Sequence, residues 1–163
     1  MVNFRSYIRI VLAALAVFFL VHAIFALFQG EEGRVRKFIL EGKKAIEQKD
    51  IFSCASMIAD TYKDEYGNDR QSLLFAAKNF FSYYQSVFIA IEKMDIKLNR
   101  PRNRAEVEMV ALILCRLQDN STKHIFEKEK PRFMVKLIKD DKGWKLQEIK
   151  FMDEVSVMGN KIS

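Results

Sequence analysis

Residues 131–151, PRFMVKLIKDDKGWKLQEIKF, decide the fold. They read as two antiparallel strands joined at Asp140-Asp141-Lys142-Gly143, with Gly143 supplying the left-handed position that a short hairpin loop often needs. On the first arm Phe133, Val135 and Leu137 alternate with Met134, Lys136 and Ile138. On the second arm Trp144 and Leu146 are followed by Ile149 and Phe151, so the apolar phase slips by one residue. A slip inside a strand marks a bulge, and a bulge bends the sheet. A bent hairpin with one apolar face requires apolar cover, and the helices upstream are its obvious source.

Working backwards, the period-2 pattern continues. Val87, Ile89 and Ile91 alternate, then Met94, Ile96 and Leu98 alternate in the other phase, which places a second shift near Glu92-Lys93. The stretch NRPRNR, residues 99–104, is an arginine-rich turn. Residues 106–117 form a long strand with Val107, Met109, Ala111, Ile113, Cys115 and Leu117 on one face. Val110, Leu112 and Leu114 occupy the other face, and a strand apolar on both sides is covered on both. The helices cover one side; a second copy of the chain is the simplest cover for the other. Residues 119–130 read as a polar connection.

Ahead of the strands the period is helical. A first helix runs from Arg34 through Val35, Phe38, Ile39, Gly42 and Ile46 and ends by Lys49. Asp50 is placed to cap a short second helix in IFSCASMIAD, and residues 62–69 form a loop. Asp69 or Asn68 then caps a third helix, RQSLLFAAKNFFSYYQ, with Leu73, Ala77, Phe80, Phe81 and Tyr84 as an aromatic-rich stripe.

Residues 10–28, IVLAALAVFFLVHAIFALF, carry no charge, and as a helix they just cross a hydrocarbon core of about 30 Å. Arg5 and Arg9 precede this stretch, as expected of a cytoplasmic N-terminus. Further Lys and Arg follow it, so charge counting alone leaves the orientation open; N-terminus in and domain out is favoured. A cleaved signal peptide is the rival, with Val21-His22-Ala23 at the cleavage positions. Apolar sequence continuing to Phe28 favours the uncleaved anchor. His22 has no second histidine nearby and reads as a tolerated polar residue.

The division expected is residues 1–30 as N-terminus and anchor, 31–152 as one domain, and 153–163 as a flexible tail. Half of the 163 residues are apolar, enough for a core, and the net charge of +6 is spread among mixed charges. That balance alone does not imply nucleic acid, and none is expected as a partner. Cys54 and Cys115, the two cysteines, have no metal-ligand spacing and read as buried free thiols.

Three helices followed by four long antiparallel strands with two bends is the order of the nuclear transport factor 2-like superfamily, also called SnoaL-like or cystatin-like cone folds. The chain resembles that superfamily over about residues 31–151. The resemblance is carried by EQKDIFSCASMIADTY, GNDRQSLLFAAKNFF, RAEVEMVALILC and above all KLIKDDKGWKLQEIKF with its Gly-Trp entry into the last strand. It implies an α+β cone: three helices packed on a strongly curved four-stranded antiparallel sheet around an apolar pocket. It also implies a tendency to dimerise through the outer sheet face.

Enzymes similar to this fold place an Asp or His base, with a Tyr or Asp donor, in the cone, where burial raises a carboxyl pKa. The groups available here are Asp60, Tyr62, Tyr66, Tyr83, Tyr84 and His124, and no pair matches a catalytic motif. Catalytic, cofactor and metal residues are therefore all expected to be none. Phe80, Phe81, Tyr84, Met109 and Trp144 are the candidates for pocket or core lining; Arg100, Arg102 and Arg104 form a candidate anion-binding loop, whose plainer role is a solvated turn. The reading favoured is a membrane-anchored, non-catalytic binding or assembly module, periplasmic or extracellular, with a small apolar ligand as an expected partner. The alternatives are a subunit of an envelope assembly similar to type IV secretion inner-membrane components, and a small isomerase or dehydratase.

Overall fold

The computed structural model describes residues 30–117, 121–124 and 130–152. The expected anchor at 10–28, its alternative cleavage site and the tail at 153–163 lie outside the described residues. Among those described, no helix is long and apolar enough to cross a membrane.

Three helices come first: α1 at Glu31–Glu47, α2 at Ile51–Met57 and α3 at Arg70–Tyr83. Five strands follow: β1 at Ser86–Leu98, β2 at Arg104–Arg116, β3 at Thr122–His124, β4 at Arg132–Asp140 and β5 at Gly143–Phe151. The long strands form one antiparallel sheet in the order β1-β2-β4-β5. Gly143 sits at φ +123°, the conformation expected of it at the β4–β5 turn.

Both phase slips are bulges. Ile91 pairs with Ala111 and Lys93 with Val110, which leaves Glu92 as the extra residue in β1. Lys136 pairs with Glu148 and Leu137 with Leu146, so Gln147 is the extra residue in β5. These insertions keep one face apolar along the whole strand, which is why the sequence phase shifts where it does.

The strong curvature expected of the sheet is corrected: the sheet is not strongly curled. Each bulge displaces the register by a single residue, and β1 and β2 resume their pairing on both sides of it from Ser86↔Arg116 to Leu98↔Ala105. The expected polar connection is also corrected, because it contains β3. β4 pairs with β2 only between Arg104 and Val110, so the same edge of β2 is free further along. Residues 122–124 fill it opposite Leu114, Cys115 and Arg116. Backbone groups that would otherwise lack partners, rather than side-chain pattern, select this strand.

The core lies between α1 and the inner sheet face. Val35 and Ile39 of α1 meet Ala105, Val107, Val135, Leu137 and Trp144 in one cluster. A second cluster joins Val87, Ile89, Ala111, Cys115 and Phe133, with Ile46, Phe80 and Tyr84 packed against it. Gly42 lets Met57 approach closely; a Cβ there would stand 3.3 Å from the Met57 methyl carbon.

Helix ends are held by specific groups. α1 closes in a Schellman pattern, with Lys49 N–H donating to Ile46 O at 3.0 Å and Asp50 N–H to Ala45 O at 2.9 Å. The left-handed position falls on Lys49, at φ 56°. Asp50 caps α2 by accepting from the Phe52 and Ser53 amides, and Asp69 caps α3 by accepting from the Ser72 amide at 2.8 Å. Lys49 Nζ donates to the carbonyls of Phe81 at 3.1 Å and Tyr84 at 3.0 Å, capping the far end of α3.

Sheet edges are occupied as well. Glu47 accepts from the Ile89 amide at 2.8 Å on the outer side of β1. At the opposite edge, Ala59 and Lys63 amides donate to Leu146 and Gln147 carbonyls of β5. Such cover limits the pairing of an edge with another chain.

Candidate functional site

Bulge placement leaves the inner sheet face apolar except for Lys139 at the end of β4. Reading across the register, β1 contributes Val87, Ile89, Ile91, Met94, Ile96 and Leu98, opposite alternate residues of β2 from Ala105 to Cys115. None of the buried residues among those described is charged or a polar side chain other than Tyr62 and Trp144.

The five lining candidates do not converge on one space. Phe80 and Tyr84 pack together, rings 4.9 Å apart, against the second cluster. Met109 touches both clusters, and Trp144 belongs to the first, next to α1. Phe81 meets Phe80 with centroids 6.0 Å apart. Burial raises the pKa of the Tyr84 phenol, and pushes the Cys115 thiol up to about 11. Cys115 is buried and Cys54 half-buried, and both are free thiols.

The candidate acid–base groups are also dispersed. The Asp60 side chain is 96% exposed, 3.7 Å from Arg70 Nε, so it stands outside the core. Tyr62 is buried, and burial followed by the neighbouring Asp64 charge lifts its pKa to about 12. Tyr66 and Tyr83 are exposed. His124 contributes its backbone to β3 opposite Leu114. An aromatic hydroxyl whose pKa lies that high holds its proton at neutral pH and is a poor base.

The outer face divides into two halves. Phe88, Ala90, Val110, Leu112 and Leu114 form an apolar patch through the pairs Phe88↔Leu114 and Ala90↔Leu112. Phe88 is 54% exposed. Beyond the β1 bulge the same face turns charged, with Lys97 to Glu108 at 3.1 Å and Lys136 to Glu148 at 2.8 Å.

Charge gathers at the end where α1 begins. Arg100, Arg102 and Arg104 are exposed, and the turn carrying Arg100 and Arg102 is built around Asn99, whose Oδ1 accepts from the Asn103 and Arg104 amides. Lys139 N–H donates to Asn103 O at 2.8 Å, and Lys139 Nζ reaches Glu31 at 2.9 Å. That contact, chiefly, holds the Glu31 carboxyl below its ordinary pKa of 4.5. The Trp144 indole also favours the ionised carboxylate, although its N–H and Glu31 Oε2 are buried without a formed hydrogen bond. Beside them a cleft of about 300 Å³ opens between α1, α2 and the start of β5, lined by Arg34, Lys37, Glu41, Lys142, Trp144 and Lys145 among others. The arginine turn was visible in sequence. The meeting of Arg34 and Lys37 with the hairpin lysines in one cleft was not, since they come from distant segments. Among the described residues no group of acidic, histidine and cysteine side chains is placed to hold a metal.

No protein-family model matches the chain, and no curated protein matches it in sequence. Solved structures do match its fold. A proposed scytalone dehydratase from Novosphingobium aromaticivorans superposes with TM-score 0.67 at 11% identity, covering 80% of this chain and 89% of that one. A nuclear transport factor 2-like superfamily protein from Salmonella enterica serovar Typhimurium gives 0.63 at 12% identity, over 82% and 96% of the two chains. A type 2 hexachlorocyclohexane dehydrochlorinase gives 0.61 at 12% identity, over 78% and 88%. At such identities the likeness is one of fold: the described domain is α+β with the nuclear transport factor 2-like arrangement of three helices and four long strands.

Proposed function

We propose, taking that fold as the premise, that the chain is a membrane-anchored, non-catalytic binding or assembly module whose domain stands outside the cytoplasmic membrane. The observation that carries the non-catalytic part is the inner sheet face, which presents no carboxylate or histidine among the described residues. Dehydration or dehydrochlorination, the activities named for two of the structural neighbours, begins with proton removal and needs a positioned base. The side chains of two apolar clusters fill the space between α1 and that face.

Residues 10–28 support the anchor by length and composition. The outer patch around Phe88, Leu112 and Leu114 supports assembly, with a second copy of this chain as its partner. An apolar ligand would enter between α3 and the sheet, where Phe80 and Tyr84 are half-buried. The envelope-assembly reading, similar to inner-membrane components of type IV secretion, differs in assigning the same patch to other subunits.

The test is cross-linking and mass measurement of the full chain extracted in mild detergent. Leu112→Glu, on the half-buried outer face, should convert the native dimer to a monomer while leaving the circular dichroism spectrum unchanged. A monomeric native chain would refute self-assembly. Recovery of the chain in the soluble fraction after alkaline carbonate washing of membranes would refute the anchor.

A further inference from the structure

The basic end of the domain is also the end from which residues 1–29 lead off. Gly30 immediately precedes α1, and Glu31 in its first turn is tied to Lys139 at 2.9 Å. The Lys139 amide in turn joins the arginine turn through Asn103 O. Two loops of the sheet and the start of α1 therefore stand together. The cleft between α1, α2 and the start of β5 presents Arg34, Lys37, Lys142 and Lys145 against a single carboxylate, Glu41, with Trp144 in its wall.

The Lys145 ammonium donates to the Ser56 carbonyl, but internal pairing leaves other charge here available. Arg34 engages Glu31 at 2.7 Å, but Lys37 meets Glu41 only at 3.8 Å with its side chain 72% exposed. A pair so exposed contributes little and yields readily to a competing anion. A helix rises about 1.5 Å per residue, so Arg34 and Lys37 lie within about 10 Å of Gly30 whatever the tilt of α1. The headgroup layer beyond the hydrocarbon is about 5–8 Å thick on each side. With residues 10–28 in the bilayer, Arg34 and Lys37 at least stand within side-chain reach of the headgroup layer.

We infer that this cleft seats the phosphate of an anionic lipid headgroup, and that the turn bearing Arg100 and Arg102 rests on the same membrane surface. The inference rests on the anchored reading above. Arg34 supplies a planar fork for two phosphate oxygens, and the lysines supply point charges around it. The Trp144 ring gives the cleft an apolar wall beside the headgroup. The domain is thereby held against the membrane in one orientation rather than swinging on its anchor.

The experiment uses the full chain in nanodiscs of phosphatidylcholine alone or with one-third phosphatidylglycerol. Amide hydrogen exchange is followed at residues 99–104 and 139–145. Exchange at both turns should slow at least threefold in the anionic discs, and 0.5 M salt should remove the difference. A Lys37→Gln/Lys142→Gln variant, changed at two exposed positions, should lose the slowing at 139–145. An Arg100→Gln/Arg102→Gln variant should lose it at 99–104, which keeps the test intact if the first variant misfolds.

Equal exchange in both discs, with the chain still embedded, overturns the inference and leaves the anchor standing. A chain that fails to insert into either disc overturns the anchor and the inference with it. The same slowing produced in neutral discs by millimolar inorganic phosphate assigns the cleft to a free anion, and by a polyglutamate peptide to an acidic protein segment; either outcome refutes the lipid.

Discussion

Lys49 holds two opposing contributions that substitution can separate. Its backbone occupies φ 56° at the end of α1, a conformation that costs a non-glycine residue about 1–2 kcal/mol. Its ammonium donates to Phe81 O at 3.1 Å and Tyr84 O at 3.0 Å, at the negative end of the α3 dipole. A hydrogen bond to a charged group contributes about 1.5–3 kcal/mol when buried. Lys49 is half-buried, so about 2 kcal/mol for both bonds together is a reasonable central value. No residue of α3 is fully buried, which makes the helix depend on ties of this kind.

Lys49→Met removes both bonds and keeps the backbone cost, so the domain should lose about 2 kcal/mol of stability. Lys49→Gly removes the same bonds but relieves about 1 kcal/mol of strain, leaving a net loss of about 1 kcal/mol. Native-state hydrogen exchange of the full chain in detergent reads both changes. Core-strand amides, which exchange through global unfolding, should exchange about 30-fold faster in the methionine variant and about 5-fold faster in the glycine variant, since about 1.4 kcal/mol is a factor of ten. A methionine variant with unchanged core-strand protection would refute the cap. A glycine variant as damaged as the methionine one would refute the strain.

Three further outcomes are expected. Glu31→Gln should be less stable than the native chain above about pH 4.5, with the gap closing as pH falls: a depressed folded pKa gives stability present above the unfolded value and lost through the folded one. Denaturant midpoints at neutral and acid pH check this, and a pH-independent gap would contradict it. Leu137→Ala, at a residue 1% exposed in the first cluster, should cost about 2–5 kcal/mol, whereas Phe52→Ser at an 84% exposed residue should stay within about 0.5 kcal/mol. Unfolding followed by Trp144 fluorescence distinguishes the two, and similar losses would place the core wrongly. Tyr62, with its pKa pushed up to about 12, keeps its proton in the folded chain while unfolded tyrosine loses it near pH 10. Stability should therefore fall between those values, less steeply in Tyr62→Phe, and equal slopes would refute the burial argument.

Much of the fold was legible because a half-buried strand writes its register into its side chains. The phase shifts around Glu92 and Gln147 marked both bulges, and Asp50 and Asp69 stood where caps were expected. Alternation locates a bulge but carries no bend angle, and the curvature was overestimated. The short β3 was hidden because an unfilled edge of β2 selects it, not its own polar residues. Lys49 was hidden too: nothing local to a lysine at a helix end says that its ammonium will reach a helix 32 residues away. The site was least legible. Phe80, Tyr84 and Trp144 read equally as pocket or core, because composition does not separate the two, and they pack in or against two core clusters.

The tie between Glu31 and Lys139 has a mechanical consequence. α1 starts directly after Gly30, so a pull along residues 1–29 enters the domain at the helix's first turn. From there the load passes through the carboxylate–ammonium contact into β4, and from the Lys139 amide into the loop joining β1 and β2. Three strands therefore share a load that enters at the first turn of α1. A shear applied at the N-terminus would be felt by the whole scaffold before any single helix peeled away.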